Sequence, residues 1–200
     1  MMSRPNRGSM MPDCKYSDEA ALVPHYEANV DYSSSIKPET IPEVFNVLDV
    51  DPSAAKTALD LGCGDGRLAH WLARNYLIRV HGVDYSASRV AKAVKHATEY
   101  GLKCTFSCQD LNYYLEKCPH NYDLIAAFEV LEHLQCPDAV LKACQTILNP
   151  SGVIVGSVPL DFPYVAHLQV YKTLDDVRAC LRPDRTVIKG RYVFCVWRSR

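Results

Sequence analysis

Short, mainly apolar runs and amphipathic stretches alternate along most of the chain. The run 124–128 is apolar throughout, as is typical of a strand buried on both faces of a parallel sheet. Between the runs, apolar residues recur every three or four positions, which predicts helices. In the segment 87–100 this repeat ends at Gly101, a common helix stop. The alternation predicts an α/β domain with a largely parallel sheet.

The same reading gives bounds for each element. The predicted strands are 57–62, 79–84, 104–108, 122–128 and 153–158. The predicted helices are a short one from Pro38 or Pro42 to Leu48, then 66–76, 87–100, 111–118, 137–148 and 173–181, the last with a capping box of Thr173 and Asp176. Two β-rich runs, 186–189 and 192–197, are separated by Gly190-Arg191 and predict a closing hairpin.

The chain divides into three parts and contains no internal repeat. We expect residues 1–15 to be a disordered tail without a secretory signal. Residues 16–52 are predicted to form a helical segment that covers the substrate, with His25, Tyr26 and Tyr32 as candidate lining of an acceptor pocket. Residues 53–200 are predicted to form one domain.

Composition excludes several classes of protein. The chain has 200 residues and a net charge of −1, so its total charge does not favour nucleic acid, although residues 176–200 carry seven Lys or Arg against two Asp. Nine cysteines occur without a C-x-x-C pair, which argues against a zinc ribbon and fits a reducing compartment. No apolar run approaches the ~18 residues of a membrane span. We therefore expect a cytoplasmic protein, either a monomer or a homodimer.

A glycine-rich loop follows the first predicted strand. Residues 59–66 read Leu-Asp-Leu-Gly-Cys-Gly-Asp-Gly, and about twenty residues later Asp84 ends the second strand. Alternating glycines let a ligand lie directly against the main chain. An acidic residue at the end of the second strand, such as Asp84, can accept hydrogen bonds from a ribose diol. The pair predicts a site for a cofactor that contains adenosine.

Charge decides which cofactor fits this loop. Dinucleotide sites usually read G-x-G-x-x-G and aim a helix N-terminus at a diphosphate. Here the spacing is G-x-G-x-G, and Asp60 and Asp65 flank it. Two carboxylates would repel a diphosphate but attract a sulfonium and an amino-acid ammonium. The loop therefore favours a positively charged thioether donor over NAD.

These features resemble the class I S-adenosylmethionine methyltransferases. The matching segments, in order, are the glycine loop, Val83-Asp84-Tyr85-Ser86, Cys108-Gln109-Asp110-Leu111, 122–133 and Leu148–Gly152. The resemblance implies a Rossmann-like doubly wound seven-stranded sheet of order 3-2-1-4-5-7-6 with the last strand antiparallel. It implies S-adenosylmethionine as donor, S-adenosylhomocysteine as product, and cofactor contacts from Asp60, Gly62, Cys63, Gly64, Asp84, Tyr85, Asp110, Leu111, Phe128 and Glu129. For Asp110, a simple helix N-cap is the alternative.

Candidate chemistry lies just after the fourth strand, in Glu129-Val130-Leu131-Glu132-His133. If this segment turns helically, Glu129, Glu132 and His133 share one face, where they are candidate catalytic residues. With His167 from the loop after the fifth strand, they also form a candidate divalent metal site. The pattern is similar to that of ubiquinone-biosynthesis O-methyltransferases and of small-RNA terminal 2′-O-methyltransferases. Two alternatives stay open: His133 acting as a general base without metal, and a purely structural segment.

Three functions are compatible with these residues. The first is methyl transfer from S-adenosylmethionine to a hydroxyl, or less readily an amine, of a small molecule. Phe162 and Tyr164 are candidate pocket walls for such an acceptor. The second is RNA ribose methylation that uses the basic C-terminal residues, which predicts steeply salt-dependent binding. The third is a non-catalytic subunit that binds the cofactor.

Overall fold

The structure, a computed structural model, describes residues 39–199. The predictions for the tail 1–15, and for His25, Tyr26 and Tyr32, lie outside these residues. The strands are β1 (Thr57–Leu61), β2 (Arg79–Asp84), β3 (Cys104–Cys108), β4 (Tyr122–Phe128), β5 (Leu148–Pro159), β6 (Arg185–Lys189) and β7 (Tyr192–Arg198). The helices are α1 (Ile41–Leu48), α2 (Arg67–Tyr76), α3 (Ala87–Glu99), α4 (Leu111–Lys117), α5 (Pro137–Thr146) and α6 (Leu174–Leu181), and short 3-10 turns lie at Pro52–Ala54 and Leu131–His133.

The seven strands form one sheet in the order β3-β2-β1-β4-β5-β7-β6. Strands β1 to β5 are parallel, and β7 pairs antiparallel with both β5 and β6. The predicted Rossmann-like doubly wound fold, its strand order and its antiparallel strand are therefore confirmed.

Hydrophobic clusters cover both faces of the sheet, which explains the continuous apolar runs. In β4, Leu124 and Ala126 pack into one cluster, whereas Ile125 and Ala127 pack into the other. A strand whose successive side chains point to opposite faces needs apolar residues at every position when both faces are buried. In the part of the chain that the structure describes, no helix combines the length and hydropathy that crossing a membrane requires.

Two neighbouring boundaries, the end of α5 and the start of β5, differ from the prediction, and the other strand and helix bounds agree closely. Helix α5 ends at Thr146, and β5 begins at Leu148 rather than at residue 153. The reason is tertiary: Ile147 is fully buried, its carbonyl accepts a hydrogen bond from the Tyr122 N–H, and Leu148 pairs with Tyr122 in the sheet. The predicted capping box at the start of α6 is present.

Candidate functional site

The candidate site lies where the order of the sheet reverses. Strand β1 has β2 on one side and β4 on the other, and all three run in the same direction. The carboxyl ends of the three strands therefore meet at one edge, which is the usual ligand position in open α/β sheets.

The glycine loop is shaped by contacts that only glycine permits. Gly62 has a φ of +62°, and a Cβ built on it would lie 2.4 Å from a methyl carbon of Val130. The segment after β4 is therefore packed directly against the loop that follows β1. The Gly66 N–H donates to the Cys63 carbonyl at 2.8 Å and closes the loop before α2 begins.

Asp84 joins the glycine loop to the start of α3. Its Oδ2 accepts a hydrogen bond from the Gly64 N–H at 2.8 Å, and its Oδ1 accepts one from the Ser86 N–H at 2.8 Å. A carboxylate oxygen has two lone pairs, so each oxygen retains capacity for a ribose hydroxyl. The predicted ribose role of Asp84 is compatible with this geometry, and the neighbouring Tyr85 side chain is exposed.

Asp110 acts as the N-cap of α4. Its Oδ1 accepts hydrogen bonds from the Asn112 and Tyr113 N–H groups, both at 2.9 Å. The capping alternative is therefore present in the structure, while the predicted adenine contact stays a prediction. Leu111 is buried behind this cap, and Phe128 is half-buried at the end of β4.

Asp60 is a buried carboxyl at the end of β1. It is 5% exposed, and within the described residues its Oδ2 has no hydrogen-bond partner. Burial raises the pKa of Asp60 to about 7, and the charges of Asp84 and Asp65 add to the effect, against a hydrogen bond with the Ala69 backbone. Such a group is suited to an incoming cation, because a positive charge replaces the hydration that burial removed.

The raised pKa of Asp60 predicts pH-dependent cofactor affinity. In the free protein Asp60 holds its proton below about pH 7 and loses it above. A cationic ligand prefers the ionised carboxylate, so affinity for S-adenosylmethionine should fall by up to ~10-fold per pH unit below 7 and level off above it. Calorimetric titration between pH 5.5 and 8 measures this, and Asp60→Asn should flatten the dependence below 7. An unchanged slope in Asp60→Asn would assign the titration to another group.

Glu129 is not part of a helix, so it does not share a helical face with Glu132 as the sequence predicted. Its φ is +55°, and only Leu131–His133 form a 3-10 turn. The Ser157 hydroxyl donates to Glu129 Oε1 at 2.7 Å, and the Glu129 N–H donates to the Ser157 carbonyl at 3.1 Å. Parallel pairing of β4 with β5 places Phe128 opposite Ser157 and so sets this contact.

Glu132 is almost completely enclosed. Its side chain is 1% exposed, and among the described residues neither carboxylate oxygen has a hydrogen-bond partner. Burial raises the pKa of Glu132 well above its usual range, and the nearby charge of Glu129 raises it further. A buried carboxylate without donors is costly, and such groups in proteins commonly pair with a cation or coordinate a metal.

Two imidazoles face this carboxylate in defined orientations. His133 Nδ1 lies 2.8 Å from the Ala166 carbonyl, and His167 Nδ1 lies 2.8 Å from the Phe162 carbonyl. Because a carbonyl only accepts, each neutral ring carries its proton on Nδ1 and its lone pair on Nε2. Burial lowers the pKa of His133 to about 4 and also lowers that of His167, so both rings are neutral at pH 7.

Glu132, His133 and His167 therefore form a cluster that fits a metal ion. Each offers one ligand atom, and these atoms lie within 4.8 Å of one another. A histidine ligand usually donates its other N–H to a carbonyl or carboxylate, as both rings do here. Of the four predicted ligands the structure brings these three together, and Glu129 lies outside the cluster.

The loop after β5 is fastened to the segment that carries Glu132. The Glu132 carbonyl accepts hydrogen bonds from the Leu168 and Gln169 N–H groups, both at 2.9 Å. This holds His167 in place beside His133, with ring centroids 4.8 Å apart. Phe162 and Tyr164 pack edge-on against His167 with their own rings nearly parallel.

Sequence reasoning missed Ser157 and the carbonyls of Phe162 and Ala166. Ser157 follows Gly156 within the predicted strand 153–158, where it belongs to no recognised motif. A polar side chain near the carboxyl end of a central parallel strand is a usable signal, because ligands bind at that edge. Backbone carbonyls carry no sequence signal at all.

In sequence, this chain is similar to known methyltransferases. Residues 58–152 match the family model described as a methyltransferase domain. A ubiquinone biosynthesis O-methyltransferase of Coxiella burnetii is 38% identical over 97 residues, which are 48% of this chain and 41% of that protein. One from Citrobacter koseri is 29% identical over 156 residues, 69% of this chain and 64% of that protein. The chain thus spans less than two thirds of the length of these relatives.

Solved structures show the same fold at low sequence identity. Magnesium protoporphyrin IX methyltransferase from Synechocystis PCC 6803, with bound S-adenosylhomocysteine, superposes with a TM-score of 0.67 at 19% identity, over 92% of this chain and 100% of that one. TehB from Haemophilus influenzae superposes with a TM-score of 0.64 at 15% identity, over 89% of this chain and 67% of that one.

Proposed function

We propose that this chain is a class I S-adenosylmethionine-dependent methyltransferase and that it methylates a hydroxyl group of a small molecule with the help of a divalent cation. The observation that carries the proposal is the cluster of Glu132, His133 and His167, in which a buried carboxylate without hydrogen bonds faces two neutral, oriented imidazoles. The cluster lies at the same edge of the sheet as the glycine loop. The relatives of this chain include proteins named ubiquinone biosynthesis O-methyltransferases, and that name supports a hydroxyl group as the acceptor.

The reaction needs alignment and removal of one proton. Methyl transfer is an in-line displacement at a carbon that the sulfonium has already activated, so the protein mainly positions the acceptor. A divalent cation at Glu132, His133 and His167 would lower the pKa of a hydroxyl that it coordinates. His133 by itself is a weak base at neutral pH because its pKa is about 4, which disfavours the metal-free alternative.

Other residues of the chain are suited to binding the two substrates. We assign the donor's ammonium to Asp60 and its ribose to Asp84, from their places at the ends of β1 and β2. The nearly parallel rings of Phe162 and Tyr164 offer an apolar wall for an aromatic acceptor, beside His167.

A chelator assay tests the proposal. Methyl transfer from labelled donor would be measured on catechols, quinol precursors and short RNAs, with and without chelator. We expect transfer to a small hydroxyl compound that stops on chelation and returns with added Mg²⁺, Mn²⁺ or Zn²⁺. Activity that chelation leaves untouched would remove the metal, and activity on RNA alone would reverse the choice of acceptor.

Ribose methylation of RNA has less support from the charges of the C-terminal residues. Arg185 pairs with Asp49 at 3.2 Å, Arg178 lies 3.6 Å from Asp175, and Lys189 pairs with Glu43. Acidic residues of the same chain partly neutralise these three basic side chains. The three residues therefore do not form a continuous phosphate-binding surface.

The non-catalytic alternative is separated by two substitutions. In a subunit that only binds the cofactor, there is no methyl transfer to lose, and Glu132→Gln and His133→Asn would change local stability but not cofactor affinity. In the proposed enzyme both variants lose methyl transfer while affinity for S-adenosylhomocysteine persists. The assay above and a calorimetric titration of each variant distinguish the two.

A further inference from the structure

Ser157 and Glu129 form a partly buried contact that the metal cluster does not use. Ser157 is 1% exposed, and its hydroxyl donates to Glu129 Oε1 at 2.7 Å. The main chains of the two residues are also joined, through the Glu129 N–H and the Ser157 carbonyl at 3.1 Å. Hydrogen bonds to a carboxylate are short and strong, so this one restricts the rotation of the Glu129 side chain.

The contact lies next to the cofactor loop. Glu129 has a left-handed backbone, with φ of +55°, and is followed by Val130, whose methyl carbon would be 2.4 Å from a Cβ on Gly62. The residue that carries the carboxylate is therefore adjacent in the chain to the one that packs against the glycine loop. A left-handed φ is unfavourable for glutamate, so other contacts must maintain it.

Donor and product of this reaction differ by one charge at one atom. S-adenosylmethionine carries a positive sulfonium, whereas S-adenosylhomocysteine has a neutral thioether there. The ammonium and the ribose, which we assign to Asp60 and Asp84, are common to both molecules. Because Coulomb attraction weakens with distance, a carboxylate close to the sulfur distinguishes them more strongly than one that binds the ammonium or the ribose.

We propose that Ser157 is a positioning residue that holds the Glu129 carboxylate toward the cofactor's sulfonium, so that the charged donor is bound in preference to the neutral product. Such a contact strengthens donor binding without slowing release of the product. The inference depends on the cofactor alone and not on the metal or the acceptor.

Binding measurements test it directly. The dissociation constants of S-adenosylmethionine and S-adenosylhomocysteine would be measured by calorimetry, with chelator and without acceptor, for the natural chain, Ser157→Ala, Glu129→Gln and the double variant. We expect Glu129→Gln to weaken donor binding ~10-fold and Ser157→Ala about fivefold, with product binding changed by less than about twofold in both. The double variant should resemble Glu129→Gln, because Ser157 acts through Glu129.

Controls separate this role from a structural one. Ser107→Ala also removes a strand hydroxyl, one that bonds His81, and should leave both affinities unchanged. Equal losses for donor and product in Ser157→Ala, or no loss for either, would overturn the proposal. If Ser157→Ala fails to fold, Glu129→Gln alone decides, since a donor-to-product affinity ratio equal to that of the natural chain excludes charge discrimination by Glu129. Failure of the metal or the acceptor assignment would leave these measurements unaffected.

Discussion

Gly62→Ala is expected to destabilise the cofactor-free protein by about 2–5 kcal/mol, the sum of left-handed strain and overpacking. The new methyl group would lie 2.4 Å from a methyl carbon of Val130, a buried β-branched residue with little freedom to rotate. Relief requires the glycine loop to separate from the segment that carries Glu129, so cofactor binding should also be lost. Urea unfolding followed by circular dichroism measures the stability change.

Gly64→Ala is the matched control for this prediction. Gly64 has a similar φ of +52°, but among residues 39–199 a Cβ there would meet only the Arg89 guanidinium, at 3.4 Å. Strain without a clash should cost about 1–2 kcal/mol. If the two variants lose equal stability, the contact with Val130 is not the reason that position 62 requires glycine.

Glu132→Leu is expected to abolish methyl transfer and to stabilise the metal-free protein. Removing a residue that holds the reacting groups should lower the rate by at least ~100-fold. The natural side chain is a buried carboxylate without hydrogen-bond partners among the described residues, and an apolar side chain of similar size there should raise stability by about 1–4 kcal/mol. Initial rates and thermal unfolding in the presence of chelator measure the two effects.

An exposed acid provides the control for Glu132. Glu116 lies on the surface of α4 beside Lys117, and Glu116→Leu should change neither quantity appreciably. A Glu132→Leu variant that is both active and destabilised would mean that this carboxylate serves the fold rather than the reaction. Opposite signs for activity and stability are the usual mark of a group kept for function.

The extent of sequence prediction can be judged from particular elements. Strands β2, β3 and β4 were predicted to the residue. In β4 the reason is an unbroken apolar run, 124–128, which is typical of a parallel strand buried on both faces. The end of α5 was misplaced by two residues, since Ile147 and Leu148 continue the helical pattern but are drawn into the sheet by Tyr122. Local pattern decided the first case and a distant strand decided the second.

The candidate site also combines features that the local sequence predicts with features that depend on distant contacts. Residues that act through short-range geometry, such as the glycine loop and the capping carboxyl of Asp110, are evident from spacing alone. The fixed tautomer of His133 is not, because it depends on the Ala166 carbonyl, 33 residues away. The bond from Ser157 to Glu129 spans 28 residues and follows from the pairing of β4 with β5.

By itself, then, the sequence determined the order of strands and helices, the charge of the cofactor loop and the set of acids and histidines available for chemistry, since these depend on residue type and local spacing. Tertiary structure alone decided that Glu132, His133 and His167 meet while Glu129 is held apart by Ser157. Contacts of this kind arise when loops close over distant strands, and a linear pattern contains no record of which side chains that closure brings within hydrogen-bond distance.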